Sequence, residues 1–107
     1  MADVYNKLVR DKIPEIIEAS GDKPNYETLK DDRYLSELNK KLLEEANEFI
    51  EANDPEELAD LMEVVYAIAN LKNIDLNEVE NIRKQKAQKR GAFDKKIYLK
   101  SVERKGE

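Results

Sequence analysis

Apolar residues recur along this chain at steps of three and four, and clusters of turn formers divide the pattern into segments. The clearest segment spans residues 31 to 52. Leu35, Leu38, Leu42, Ala46 and Phe49 form one stripe there, which Leu43 and Ile50 widen, so the spacing predicts an amphipathic helix. Asn53-Asp54-Pro55 then ends that helix and opens the next, with Asp54 suited to the N-cap, Pro55 to the first helical position and Glu57 completing a capping-box pattern. From Pro55 to about Leu71 the chain is apolar around most of a helical circumference (Leu58, Leu61, Met62, Val64, Val65, Tyr66, Ile68, Ala69, Leu71). Such a helix needs cover on several sides, and a chain this short is expected to find it in a second copy of itself.

Weaker segments flank this pair. Tyr5, Leu8 and Val9 form an extended-looking stretch, followed by a brief helix from about Ile13 in which Pro14 is tolerable in the first turn and Gly21 is the stop. Asp75 and Glu78 repeat the capping-box pattern ahead of Leu76, Val79 and Ile82, predicting a helix that ends at Gly91. Beyond it, Ile97, Leu99 and Val102 suggest a short strand or extended arm over about residues 94 to 107. The expected architecture is all-α: one small domain over residues 1 to 107, an antiparallel bundle of four to five helices completed by dimerisation, with a short C-terminal arm.

Composition narrows the chemistry. The chain has 107 residues with neither Cys nor His. Thiolate nucleophiles, disulfides, a His general base and Cys- or His-ligated zinc are therefore excluded. What remains is carboxylates, Lys, Arg, Tyr and hydroxyls, and carboxylates used in number point to a hard cation held by oxygen, Mg²⁺ or Mn²⁺. No apolar run reaches the ~20 residues of a membrane span, and the first ten residues lack the pattern of a signal peptide, so a cytoplasmic address without membrane association is expected.

The carboxylates are not evenly spread around the two central helices. On a helical wheel Glu45 and Glu48 stand one turn apart along one border of the apolar arc with Lys41 between them, whereas Glu44 and Glu51 point toward solvent. On the next helix Glu57 lies within an apolar arc and Asp60 at its edge. A connection of two residues makes the helices antiparallel neighbours, with both acidic pairs within about two turns of it, so the pairs can face each other. At an effective dielectric of ~20, two such charges ~4 Å apart repel by about 4 kcal/mol, and a divalent cation neutralises the group best.

The run Lys41-Leu42-Leu43-Glu44-Glu45-Ala46-Asn47-Glu48, followed after eight residues by Glu57-Leu58-Ala59-Asp60, resembles the EExxE and ExxD signature of the MazG-like all-α nucleoside triphosphate pyrophosphohydrolases. The opening run from Tyr5 to Ile17 (YNKLVRDKIPEII) is similar to one branch of that superfamily, the small phosphoribosyl-ATP pyrophosphohydrolase-like house-cleaning enzymes. Lys86 to Phe93 resembles the same branch's Lys…Arg-Gly-Gly-Phe segment, with Ala92 where Gly is usual. The resemblance implies hydrolysis of a nucleoside triphosphate between its α and β phosphates, giving the monophosphate and pyrophosphate. By matching position it implies Glu45, Glu48, Glu57 and Asp60 as Mg²⁺ ligands (Mn²⁺ being an alternative), with either Glu45 or Glu48 as the catalytic base. It also implies phosphate contact for Arg10, in place of a surface ion pair with Asp11 or Glu15.

Charge asymmetry supplies the rest of a substrate site. Residues 1 to 81 carry a net −12 and residues 82 to 107 a net +7. A triphosphate entering an acid-lined site needs cations, and Lys41, Lys86 and Arg90 are the candidates beside Arg10. For Lys86, Lys89 and Arg90, complementing the negative end of a helix dipole is an equal explanation. The acidic remainder disfavours a nucleic-acid partner. Three readings follow: a Mg²⁺-dependent nucleoside triphosphate pyrophosphohydrolase, a phosphoribosyl-ATP pyrophosphohydrolase of histidine biosynthesis, and a noncatalytic helical dimerisation module.

Overall fold

The computed structural model describes residues 2–106, and the chain divides between Asp75 and Leu76 into two compact units. The first unit holds α1 (Ile13–Ala19), α2 (Asp31–Ala52) and α3 (Pro55–Leu71), and the second holds α4 (Leu76–Arg90). These are the four helices of the described residues, and no strand occurs among them. The alternate spacing of Ile97, Leu99 and Val102 therefore does not yield the short strand it suggests; this segment carries no regular structure. A lone strand leaves its backbone donors and acceptors without a ladder partner.

Local chemistry accounts for the helix ends of the first unit. Pro14 occupies the first turn of α1, where a missing N–H costs nothing. Gly21, at φ +95°, then closes the helix: its N–H donates to the Glu18 carbonyl and that of Asp22 to the Ile17 carbonyl, the paired pattern of a left-handed C-terminal cap. Asn53 ends α2 in the left-handed region (φ 59°, ψ 34°), a conformation Asn tolerates better than most residues. Asp54 follows in extended geometry, and its carboxylate accepts the Glu57 N–H at 2.9 Å.

This two-residue reversal lays α3 back along α2, and their contact is the main packing of the unit. Leu38, Val64 and Ala69 are its buried apolar residues, surrounded by half-buried Leu35, Leu42, Ala46 and Phe49 from α2 and Leu61, Val65, Ile68 and Leu71 from α3. Only part of the apolar stripe is thereby covered. Leu43 and Ile50, seven residues apart on α2, are 69% and 70% exposed, and Leu58, Met62 and Tyr66, at steps of four on α3, are also exposed.

In the second unit, α4 carries half-buried Leu76 with exposed Val79 and Ile82, and Lys89 and Arg90 stand in its last turn. Gly91 follows at φ +83°. Phe93 is 97% exposed. Among the described residues no helix is long and apolar enough to cross a membrane.

Candidate metal centre

The hairpin places one α2 carboxylate against two from α3. One oxygen each from Glu45, Glu57 and Asp60 lies within 4.8 Å of the others. Glu45 is the buried charged residue of the unit, at 7% exposure, while Glu57 and Asp60 are half-buried. Glu57 reaches this position because its backbone N–H serves the Asp54 cap, which fixes the first turn of α3 and leaves the carboxylate pointing toward α2. At an effective dielectric of ~20, charges about 5 Å apart repel by roughly 3 kcal/mol per pair, so the group is unfavourable when fully ionised.

Two cations offset this in part. Arg10 Nη2 donates to Asp60 Oδ1 at 2.7 Å. Lys41 Nζ lies 3.4 Å from Glu45 Oε1, one helical turn away on the same face of α2. The second oxygens of Glu45 and Glu57 are both buried and have no hydrogen-bond partner. Burial lifts the Glu45 carboxyl above its ordinary range, the Glu48 charge adds to the rise, and Lys41 opposes it. Burial also lifts Glu57, reinforced by the charges of Glu48, Asp54, Asp60 and Glu45. Buried carboxylate oxygens without donors, in a group of like charges, form a donor set suited to a hard divalent cation.

Glu48 is exposed and stands outside the convergent trio, although its charge acts on both Glu45 and Glu57. Glu44 is exposed as its wheel position implies. It lines a shallow groove of about 210 Å³ with Asn6, Lys7, Leu8, Glu37, Lys40 and Lys41. Lys41 thus borders both the carboxylate group and the groove. Arg10 pairs with Asp60 rather than with its sequence neighbours Asp11 or Glu15. That partner is 50 positions away, and no local spacing rule points to it. Asn6 and Lys7 likewise meet Lys40 and Lys41 along this groove only through folding. Lys86 and Arg90 belong to the second unit.

The class defined by this fold and site is an all-α helical hairpin protein with a carboxylate-lined centre. The chain belongs to the phosphoribosyl-ATP pyrophosphohydrolase family, part of the MazG-like all-α superfamily, and matches it over residues 3–87. It is also similar to an uncharacterised protein of Mycolicibacterium smegmatis (strain ATCC 700084 / mc(2)155), with 55% identity over 42 residues that make up 39% of this chain and 43% of that protein. The chain therefore matches less than half the length of that relative. No solved structure matches the chain.

Proposed function

We propose that this chain is a divalent-cation-dependent pyrophosphohydrolase that cleaves nucleoside triphosphates between the α and β phosphates, with Mg²⁺ as the cation and Mn²⁺ as a substitute. The observation that carries the reading is the pair of buried, unpartnered oxygens on Glu45 and Glu57, within a carboxylate group that Asp60 completes, in a member of this family. A solvated acidic face, as in a noncatalytic dimerisation module, does not hide such oxygens from water.

In this reading Glu45, Glu57 and Asp60 hold the cation, and Glu48 stands at the edge of the site. When bound, the cation offsets negative charge on the phosphate oxygens and makes water more acidic. Glu48, exposed and outside the trio, accepts the proton of the attacking water. The water oxygen bonds to the α-phosphorus, the bond from that phosphorus to the α–β bridging oxygen breaks, and pyrophosphate leaves. Lys41, on the border of the groove, and Arg10 contact phosphate oxygens. A cytoplasmic nucleotide pool is the setting this reading supposes.

A second reading, phosphoribosyl-ATP as substrate, is favoured by the description of the family itself. A pyrophosphate-release screen across standard, deoxy and damaged nucleoside triphosphates and phosphoribosyl-ATP separates the two. Release from triphosphates with Mg²⁺ is expected. Release from phosphoribosyl-ATP alone replaces the first reading with the second, and release from none defeats both.

We further propose a homodimer. Leu43 and Ile50 on α2, with Leu58, Met62 and Tyr66 on α3, leave too much apolar surface on two packed helices for a solitary chain of this size. Leu43→Asp combined with Ile50→Asp is expected to shift the mass measured by light scattering from two chains to one. A wild-type chain that is already monomeric, or a variant that remains dimeric, overturns this assignment.

A further inference from the structure

Asp60 is claimed twice. Its carboxylate belongs to the convergent trio, and Oδ1 accepts the Arg10 guanidinium at 2.7 Å. The two side chains of this pair are 56% and 44% exposed, so separating them involves little change in hydration. The contrast with Lys41 is informative: its side chain is 23% exposed, and its bond to Glu45 lies within one helix. Arg10 instead precedes α1, where the Ile13 N–H donates to the Arg10 carbonyl at 3.0 Å and holds its backbone in a turn. The guanidinium can swing on its long side chain while that backbone stays fixed. Deeper in the site, Glu45 is more than nine-tenths buried with Oε2 unpartnered, so the group still has demand for positive charge that neither cation meets.

Building on the proposed metal site, we propose that Arg10 is a placeholder cation: a divalent ion entering between Glu45, Glu57 and Asp60 displaces the guanidinium from Asp60, and the released Arg10 then receives the phosphates of the substrate. One residue thereby serves the metal-free and the nucleotide-bound forms in turn. The guanidinium suits the second task because its planar fork matches phosphate oxygens as well as carboxylate oxygens. Metal therefore binds before the nucleotide engages Arg10, and the Arg10–Asp60 pair weakens metal affinity in the resting chain.

Mn²⁺ titration by calorimetry without nucleotide tests this. Arg10→Gln is expected to bind Mn²⁺ about two- to fivefold more tightly than wild type, the range one exposed ion pair accounts for. Equal or weaker affinity overturns the exchange. The wild-type chain gives a second readout that does not depend on the variant folding. On titration with Mg²⁺, the Arg10 Nε–Hε resonance is expected to move toward the position of unpaired arginines, and a resonance that stays in place at saturation also overturns it. Failure of wild type to bind Mn²⁺ at all defeats the metal site and the exchange together, whereas binding with an unchanged Arg10 defeats the exchange alone.

Discussion

Glu57→Gln and Glu45→Gln are each expected to reduce metal-dependent pyrophosphate release by at least about 100-fold, the upper end of what loss of a supporting residue around a metal costs, while raising the melting temperature of the metal-free protein at neutral pH. The two effects have one origin. In the folded chain both carboxyls are held above the ordinary value of 4.5, chiefly by burial, with neighbouring acids adding to the rise. A carboxyl whose folded-state pKa is raised favours folding when protonated, so its contribution is most favourable below 4.5 and is lost as pH climbs through the raised value. Above that value each group is ionised at a cost to the fold, and a neutral amide of the same shape removes that cost. Melting curves recorded with EDTA across a pH series check this. As pH rises from 4.5, wild type should lose stability more steeply than either variant. A variant that melts lower than wild type at neutral pH would show that the carboxylates are supported by donors and do not repel. Glu48→Gln separates the roles further, since loss of a proton acceptor beside the trio should lower kcat far more than it weakens Mn²⁺ binding, which loses only the charge that Glu48 adds to Glu45 and Glu57.

Addition of Mg²⁺ or Mn²⁺ is expected to have the largest effect on stability. A ligand that binds only the folded state, present at ~100 times its Kd, adds about 2.7 kcal/mol. For a domain of this size each kcal/mol corresponds to roughly 4–8 °C, so the melting temperature should rise by about 10–20 °C. The gain comes from relieving repulsion among Glu45, Glu57 and Asp60 and from giving Glu45 Oε2 and Glu57 Oε2 the partner they lack. Scanning calorimetry with Mg²⁺, with Mn²⁺ and with excess EDTA measures it. An unchanged melting temperature at millimolar metal would remove the basis for the catalytic reading, and a shift that persists in Glu45→Gln would place the ion elsewhere.

Much of the fold is legible in the sequence because it rests on local rules. The limits of α2 and α3 follow from a strong apolar period and from Asn53-Asp54-Pro55, whose conformational preferences act over three residues. Gly21 and Gly91 mark stops for the same reason. The C-terminal segment is read less well: an alternating pattern states only which side chains could share a face, and a strand exists only if another edge pairs with it. The candidate site is legible in part. Helical phase alone distinguishes inward Glu45 from outward Glu44 and predicts that Glu57 and Asp60 can meet it, because both helices grow from one short turn.

The sequence by itself determined an all-α chain with two capped central helices, the phase of their acidic residues, and a chemistry without His or Cys. Each of these depends on the neighbours of a residue along the chain or on which side chains are present. Only the tertiary structure decided that oxygens of Glu45, Glu57 and Asp60 converge, that two oxygens of Glu45 and Glu57 are buried without partners, and that Arg10 closes on Asp60. Helix phase gives the direction of a side chain but not its depth, which depends on how closely α2 and α3 approach. A pair formed across 50 residues exists only once folding has brought Arg10 to Asp60.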